Sequence, residues 1–498
     1  MTADAPARQL LQSILIIGDG QLGILAAIAM KRANPLAEIR VIPCHNDPAN
    51  FTANIGNAMP FTNKLHAQLG INDISLAKKA GASHKLVNRY INWNENGHDG
   101  VAGYDNIDQM PLEAFIGNFN AENRQNQNSD KILNQAEILA ATGKFALSDN
   151  NQSYPTSQID YGLRWNVPAY REMLIEYATT LGVQYAPHLP QNVIFKNNGD
   201  VDAVILKDDA GQIDADLFID CSGPMRWLMR ELPEAILDPW SDILPCDHIY
   251  MAVQDTPVLA LEDHAILTDF GVHSKIGGRD FVQHIFAQPS DLNHLEVENI
   301  FKQAGAKTPH LVKIISGALK QPFVRNAIAL GDTAASFQPI GGINLDLAHR
   351  HLSLLLELLP GRHIIPQERD EYNRRANLMT MGVQTWLASH YLSLPQAETP
   401  FADYVSTLSK TPQTLALQQQ FTHRGRIPLT EEAPMQPAIW ANMLHALSIP
   451  SQPSALYTAQ SSQQKMAMIK QAEEAAKYVI ENTANYLDWI RSVMDNRV

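Results

Sequence analysis

The residues best suited to chemistry in this sequence are three glycines spaced as Gly18-x-Gly20-x-x-Gly23. Four apolar residues, 14–17, precede them, and an Ala/Leu/Ile-rich stretch follows. This order predicts a buried strand, a tight turn and a helix whose N-terminus faces a phosphate, with Gly20 admitting the phosphate and Gly23 letting the helix pack on the strand. A glycine turn kept only for packing is the alternative. The context favours dinucleotide binding, with Gly18, Gly20, Gln21 and Gly23 at the pyrophosphate.

A second candidate element lies far downstream, where the predicted strand Asn326–Leu330 runs into Gly331 and Asp332. A carboxylate at the end of such a strand can accept hydrogen bonds from the ribityl hydroxyls of a flavin. The predicted helix from about 344 to 359 follows, and its N-terminus offers a positive dipole end to the flavin ring or to an anion. The candidate residues there are Gly341, Gly342 and Ile343. Together the two elements favour FAD over NAD.

Composition excludes several other kinds of protein. The chain has 498 residues, 45% of them hydrophobic, and a formal net charge of −14, which argues against nucleic acid or an anionic membrane as the primary partner. Its three cysteines form no CxxC, no HExxH is present, and we expect no metal site. The sequence contains neither a signal peptide pattern nor an apolar run of the ~20 residues that a membrane helix needs, so we expect a cytoplasmic protein.

The elements that must position these residues predict an α/β protein of more than one structural unit. We expect a Rossmann-like FAD-binding domain of the flavin monooxygenase type over residues 1–370. A mixed-sheet substrate region is inserted in it at about 77–155 and 225–325. Residues 371–498 should form a mainly α-helical part that caps the substrate, ending in one long amphipathic run over 463–494. The turn-rich stretch 45–70 is a candidate loop over the cofactor, and 94–130 a surface excursion.

Several segments spread over nearly the whole chain resemble the flavin-dependent tryptophan halogenases, which are relatives of the single-component flavin monooxygenases. Besides the N-terminal glycine motif they are HKLVNRYINW at 84–93, YGLRWNVPAYREMLIEYATTLGV at 161–183, ADLFIDCSG at 215–223, ALGDTAASFQP at 329–339 and YNRRANLMTMGVQTWLASHY at 372–391.

The resemblance implies a reaction that uses reduced FAD, oxygen and halide to make hypohalous acid. In the family this acid reaches a lysine that lies eight residues before the tryptophan of an FVNW-like segment, and Lys85 stands at that spacing before Trp93. An ammonium group can polarise hypohalous acid or carry the halogen. The implied partners are halide at Gly341 and Gly342, an aromatic small-molecule or peptide-borne substrate, and a separate flavin reductase. A homodimer is left open.

The sequence also departs from the family pattern. Val272 and Ser274 stand where the WxWxIP signature has its tryptophans, and the loop from Pro339 to Ile343 lacks the family's carboxylate. Asn57 replaces a frequent Glu. Pro43 ends the second strand where dinucleotide folds usually carry an acidic residue for the ribose. These departures keep two alternatives open, a flavin monooxygenase that hydroxylates an aromatic substrate and a degenerate, non-catalytic flavoprotein.

Overall fold

A computed structural model describes residues 9–94, 99–104, 134–148, 152–156, 159–392, 394, 398–427, 431–453 and 455–495. The strands are β1 (Ser13–Ile17), β2 (Glu38–Ile42), β3 (Asn57–Ala58), β4 (Ser83–Lys85), β5 (Val87–Ile91), β6 (Gly100–Gly103), β7 (Gly162–Arg164), β8 (Gln184–Tyr185), β9 (Pro190–Phe195), β10 (Val201–Leu206), β11 (Gln212–Asp214), β12 (Leu217–Asp220), β13 (Leu237–Pro239), β14 (His248–Gln254), β15 (Glu262–Thr268), β16 (Gly271–Ile276), β17 (Val282–Gln288), β18 (His310–Lys313), β19 (Gly317–Leu319), β20 (Phe323–Val324), β21 (Ala327–Ala329) and β22 (Ala335–Ser336).

The helices are α1 (Gln21–Ala33), α2 (Phe51–Asn54), α3 (Phe61–Gln68), α4 (Asp73–Ala80), α5 (Gln135–Thr142), α6 (Val167–Thr180), α7 (Leu295–Gln303), α8 (Ile343–Glu357), α9 (Pro366–Ser389), α10 (Pro400–Ser406), α11 (Pro412–Arg424), α12 (Pro437–Ala446), α13 (Ala455–Thr458), α14 (Ser462–Asn482) and α15 (Tyr486–Met494). Short 3₁₀ turns occur at Met229–Glu231 and Gly331–Thr333.

A six-stranded sheet in the order β20-β21-β12-β1-β2-β8 forms the core of the domain in which the glycine motif lies. β1 pairs in parallel with both β12 and β2, and β12 pairs in parallel with β21. All four strands are largely buried, as expected for a parallel sheet covered on both faces. The carboxyl ends of β1 and β21 therefore meet at one edge, which places the Gly18 turn and Gly331–Asp332 on the same side. The predicted α/β fold with a Rossmann-like core is confirmed.

A seven-stranded mixed sheet, β18-β14-β17-β16-β15-β5-β6, lies beside this core. Its strands come from two separate stretches of the chain, with the parallel pair β5–β15 joining them. A small sheet, β3-β7-β4, adjoins it and carries Lys85 at the end of β4. The segments of the predicted substrate region thus supply one continuous sheet, although the domain boundaries themselves stay a prediction.

The described part of the chain after residue 366 is mainly helical. The expected single run over 463–494 is wrong in one respect, because α14 ends at Asn482 and α15 begins at Tyr486. Asn485 causes the break, since its side chain accepts hydrogen bonds from the N–H groups of Leu487 and Asp488 and so caps a new helix. Most of the predicted surface excursion at 94–130 lies outside the described residues, but the expectation is wrong for residues 100–103, which form the buried strand β6 of the mixed sheet. Within the described ranges no helix is both long and apolar enough to cross a bilayer.

Candidate active site

The first glycine turn is built by close backbone contact. Gly18 has a φ of +104°, and a Cβ there would lie 2.6 Å from the carbonyl oxygen of Cys221. A Cβ on Gly23 would lie 1.8 Å from the carbonyl oxygen of Gly18. These two glycines are therefore required by the packing of α1 on the sheet. Gly20 is the N-cap of α1, and a Cβ there would lie 2.8 Å from the Cβ of Ala53.

Asp332 ends the second predicted element in a fully buried position. Its Oδ2 accepts a hydrogen bond of 2.6 Å from the backbone N–H of Thr52. Its Oδ1 is buried and accepts no hydrogen bond of normal geometry from the described residues, although the Asn344 side chain lies near enough to lower the pKa of the carboxyl group. Burial raises the pKa of this carboxyl group to about 7. An unsatisfied carboxylate oxygen at a strand end is suited to accept hydrogen bonds from ligand hydroxyl groups.

The short helix α2 and the residue before it cover the glycines that would face a dinucleotide. Asn50 packs on Gly223, where a Cβ would lie 2.7 Å from the Asn50 side chain. Thr52 packs on Gly331, where the corresponding distance to the Thr52 Oγ1 is 2.6 Å. With the contact between Ala53 and Gly20, one segment covers one glycine from each of three loops. Gly20 and Asp332 thus converge as expected, but α2 lies between them.

Gln21 holds α2 in this place. Its Nε2 donates to the backbone carbonyl oxygens of Thr52 and Ile55 at 2.9 and 3.0 Å, and its Oε1 accepts from the Trp165 Nε1 at 2.8 Å. The Gln21 side chain was predicted to lie at the pyrophosphate, but it forms its hydrogen bonds with other residues of the protein. Its backbone N–H at the start of α1 is the part of this residue that fits a phosphate.

A pocket lies next to α2 at the start of α8. Gly341 and Gly342 line it with left-handed φ values of +62° and +87°, and the buried Ile343 follows as the first residue of α8. The Oδ1 atoms of Asn57 and Asn344 are buried there without a hydrogen-bond partner among the described residues. The pocket is lined by Phe51, Ile55, Asn57, Ile276, Pro339, Gly341, Gly342, Asn344 and Leu345. Its lining combines apolar side chains with two amides and two glycines, and its volume of about 250 Å³ is below that of typical ligand pockets. We call it the ring pocket because its glycine pair is predicted to face the flavin ring.

Lys85 lies directly behind the ring pocket. Its Nζ donates to the carbonyl oxygen of Gly341 at 3.0 Å and to the Asp263 Oδ2 at 2.9 Å. Lys85 has no exposed surface. Gly162 on β7 is its cross-strand neighbour, and a Cβ on Gly162 would lie 2.6 Å from the Lys85 Cε. Because Gly162 has no side chain, the Lys85 side chain can occupy the space next to it.

Asp263 joins Lys85 to a second cation. Its Oδ1 accepts from the Arg164 Nη1 at 3.1 Å, and its Oδ2 also accepts from the Asn57 Nδ2 at 3.1 Å. Burial alone would raise the pKa of Asp263, but Lys85 and Arg164 together hold it below its usual range. Burial lowers the pKa of Lys85, and Asp263 opposes this effect. We call Lys85, Asp263 and Arg164 the Lys85 cluster.

Sequence reasoning missed two members of the Lys85 cluster. Arg164 lies in a segment that resembles the family, and Asp263 lies in a strand that matches no motif. A signal was available for Asp263, because it alternates with Ala265 and Leu267 in a β-like pattern, and the three residues share one face of β15. A charge on the apolar face of a strand is unusual unless it is paired.

The positions of the missing signature are occupied by smaller side chains. Val272 and Ser274 are both buried on β16, two residues apart and hence on one face of the strand. Ile276 continues this face and lines the ring pocket. The two positions at which the resemblance implies tryptophans therefore carry small, buried side chains.

These groups fit a flavin dinucleotide in their chemistry, while the space for it is taken by α2. The N-terminus of α1, the free oxygen of Asp332 and the glycine pair of the ring pocket would face the pyrophosphate, the ribityl chain and the ring. Binding requires that α2 leave the three glycines. Among the described residues no group of three or more His, Cys, Asp or Glu side chains could hold a metal ion.

Comparison with known proteins identifies the family and the fold of this chain. The family model for tryptophan halogenase matches residues 13–462. Tryptophan 7-halogenase KtzQ of Kutzneria sp. (strain 744) is 22% identical over 429 residues, which cover 78% of each chain. Tryptophan 7-halogenase RebH of Lentzea aerocolonigenes is 22% identical over 435 residues, again covering 78% of each.

Solved structures show the same fold. BrvH, a flavin-dependent halogenase from Brevundimonas sp. BAL3, superposes with a TM-score of 0.85 at 19% identity, over 97% of this chain and 99% of that one. Xcc4156, a flavin-dependent halogenase from Xanthomonas campestris, superposes with a TM-score of 0.85 at 18% identity, over 97% and 99%. The glycine turns, the strand-end carboxylate and the buried lysine thus lie in a fold shared with flavin-dependent halogenases, and the chain belongs to the tryptophan halogenase family.

Proposed function

We propose that this protein is an FAD-dependent halogenase that acts on an aromatic substrate, either a small molecule or a peptide-borne ring. Reduced FAD would come from a separate flavin reductase, and the protein would use oxygen and a chloride or bromide ion. The observation that carries the proposal is the position of Lys85. Its fully buried ammonium group lies 3.0 Å from the carbonyl oxygen of Gly341, a residue of the ring pocket wall.

Each binding residue has a defined part in this proposal. The N–H groups at the start of α1 bind the pyrophosphate, and the Asp332 Oδ1 accepts from the ribityl hydroxyls. Gly341 and Gly342 bind halide beside the ring, at the positive end of α8. The reduced flavin, when bound, supplies the reaction with oxygen that oxidises halide to hypohalous acid.

Lys85 is the proposed catalytic residue. Hypohalous acid reacts indiscriminately in water, so selectivity depends on confinement and on a fixed donor. Lys85 has no exposed surface, which keeps bulk water away from its Nζ. A hydrogen bond from this group to the oxygen of hypohalous acid makes the halogen more electrophilic toward the aromatic ring.

The decisive experiment supplies FAD, a flavin reductase and NADH, together with a panel of indoles and phenols, with and without bromide or chloride. Halide-dependent gain of a halogen mass is the expected result. Lys85→Met should abolish this product and leave the oxidation of reduced FAD by oxygen unchanged. Lys79→Met, which removes an exposed lysine of α4, is the matched control and should keep full activity. Unchanged halogenation by the Lys85 variant would remove the lysine from the mechanism.

The smaller groups at the signature positions favour a second candidate, a flavin monooxygenase. Val272 and Ser274 build a less bulky wall than two tryptophans would, and a thinner wall favours direct transfer of oxygen to the substrate. The same assay separates the two functions, because a monooxygenase adds an oxygen mass whether or not halide is present.

The position of α2 favours a third candidate, a flavoprotein fold that no longer binds its cofactor. Equilibrium titration with FAD, followed by the quenching of flavin fluorescence, tests this directly. Saturable binding with displacement of α2 supports the enzyme. Absence of binding to the native protein up to millimolar FAD would support the non-catalytic alternative and remove both enzymatic ones.

A further inference from the structure

Lys85 has a carboxylate partner that no sequence motif indicates. The Asp263 Oδ2 lies 2.9 Å from the Lys85 Nζ, and both side chains are almost completely shielded from solvent. The loop from Pro339 to Ile343, which approaches Lys85 through the Gly341 carbonyl, contains no acidic residue. The negative charge at this lysine therefore comes from β15, the strand that pairs with β5 across the mixed sheet.

Asp263 is fixed from more than one side. In addition to Lys85, it accepts hydrogen bonds from Arg164 and from Asn57, each at 3.1 Å. Arg164 is itself tied to the backbone, since its Nη2 donates to the carbonyl oxygens of His84 and Ala260. The carboxylate cannot rotate away from Lys85 without losing these bonds. Asn57 also lines the ring pocket. Asp263 is therefore separated from the pocket by the Asn57 side chain.

The charged and titratable groups around Lys85 come from four elements. Asp263 on β15 and Arg164 on β7 are in the Lys85 cluster. Asp346 on α8 is also near but is bound to Arg350 through its Oδ2 at 2.6 Å. The Tyr104 ring, after β6, has its centroid 5.8 Å from the Lys85 Nζ. Burial and Arg164 both disfavour the ammonium form of Lys85, and the contact with Asp263 is the largest effect opposing them.

We propose that Asp263 is the positioning residue that keeps Lys85 charged and aimed at the ring pocket. The inference rests on the proposed function of Lys85 and deepens it. An ammonium nitrogen has no lone pair, so a charged Lys85 activates hypohalous acid by hydrogen bonding and forms no nitrogen–halogen bond. In the overall step the bond between oxygen and halogen breaks, a bond between ring carbon and halogen forms, and the displaced hydrogen and the oxygen leave as water.

The test is the titration of Lys85 itself, followed by ¹⁵N NMR of the lysine side chains in protein labelled with ¹⁵N-lysine. Lys85→Met assigns the signal. Asp263→Asn should lower the pKa of Lys85 by about one to three units, which is a ~10- to 1,000-fold loss of proton affinity, because an opposite charge at this distance has that effect. Arg164→Gln should move the same pKa upward, since it removes a neighbouring positive charge.

Activity gives the second measurement. Halogenation that needs a charged lysine is lost as pH rises through the pKa of Lys85, so this alkaline limb of kcat/KM should lie at lower pH in Asp263→Asn. Asp263→Glu, which keeps the charge, should return the limb toward that of the wild-type protein. A role in folding alone would lower activity without moving the limb.

The two hypotheses fail in different ways. If the wild-type protein never halogenates a substrate, the proposed function is wrong. The pH midpoints of the NMR titrations still measure the effect of Asp263 on Lys85 in that case. Equal midpoints in the wild-type protein and Asp263→Asn would overturn the role of Asp263 even if halogenation is intact. If Asp263→Asn does not fold, Arg164→Gln decides, because an unchanged or lowered midpoint there contradicts the proposed balance of charges.

Discussion

Asp332→Asn should make the flavin-free protein more stable at alkaline pH. The Asp332 carboxyl is fully buried, and burial raises its pKa from 3.8 to about 7. An asparagine at this position keeps an acceptor for the Thr52 N–H while it removes the buried charge. One pKa unit corresponds to about 1.4 kcal/mol, so the buried charge costs the native state ~4 kcal/mol when it is ionised.

The sign follows from proton linkage. Between pH 4 and 7 the native protein holds a proton on Asp332 that the unfolded chain has released, so the free energy of unfolding falls as pH rises through this range. The variant lacks this group, while the other titrating groups are common to both proteins and cancel in the difference. We expect no charge-related difference near pH 4, a growing advantage of the variant up to pH 7, and a constant advantage above it.

Urea and thermal denaturation of the two flavin-free proteins at pH 5, 6, 7 and 8 measure this difference. Asp214→Asn, at an exposed position of β11, is the control for the loss of one negative charge. A variant that is no more stable than the wild-type protein at pH 8 would refute the reasoning. The same substitution should weaken FAD binding by about 10- to 100-fold, because a hydrogen bond to a charged acceptor contributes ~1.5–3 kcal/mol. Stability gained together with affinity lost would identify Asp332 as a ligand-binding group.

Three further substitutions test the packing of the site. Gly162→Ala brings a methyl group to 2.6 Å from both the Lys85 Cε and the Ala58 carbonyl oxygen, so we expect halogenation to fall at least tenfold and the thermal midpoint to fall with it. Gly23→Ala forces a methyl group to within 1.8 Å of a backbone oxygen, so the thermal midpoint and FAD binding should both collapse. Ala53→Gly weakens α2 by about 1 kcal/mol and should raise FAD affinity about fivefold in fluorescence titration, whereas Ala67→Gly on the exposed face of α3 should not.

The elements that could be predicted from the sequence are those whose defining pattern lies entirely within a few neighbouring residues. The predicted strand 14–17 lies within β1, the predicted strand Asn326–Leu330 contains β21, and the helix predicted from about 344 to 359 corresponds to α8. In each case the apolar pattern and the neighbouring glycines are local to the element. The missed break between α14 and α15 depends on one Asn cap inside a continuous amphipathic pattern. Such a cap is visible only when the helix ends are known.

The candidate site was predictable only in part, because its contacts join distant positions. The resemblance placed Lys85, and the local motif placed Asp332. Asp263 lies 178 residues from Lys85 along the chain, and nothing near either residue indicates the other. The covering of the glycines by α2 is likewise a tertiary contact, although residues 45–70 were expected to lie over the cofactor. A turn-rich sequence does not show whether its loop lies above a cleft or inside it.

The energetics of the Lys85 cluster support a functional origin for it. Three charged side chains buried together rarely stabilise a fold more than apolar residues of the same size would, because the loss of hydration offsets their attraction. The wall of the ring pocket adds the Oδ1 atoms of Asn57 and Asn344, which have no hydrogen-bond partner within the described part of the chain. A protein selected for stability alone would replace such groups. Their concentration on both sides of Gly341 supports the proposed site, in which the polar atoms lie on the side predicted for the cofactor and the charges on the lysine side of one wall.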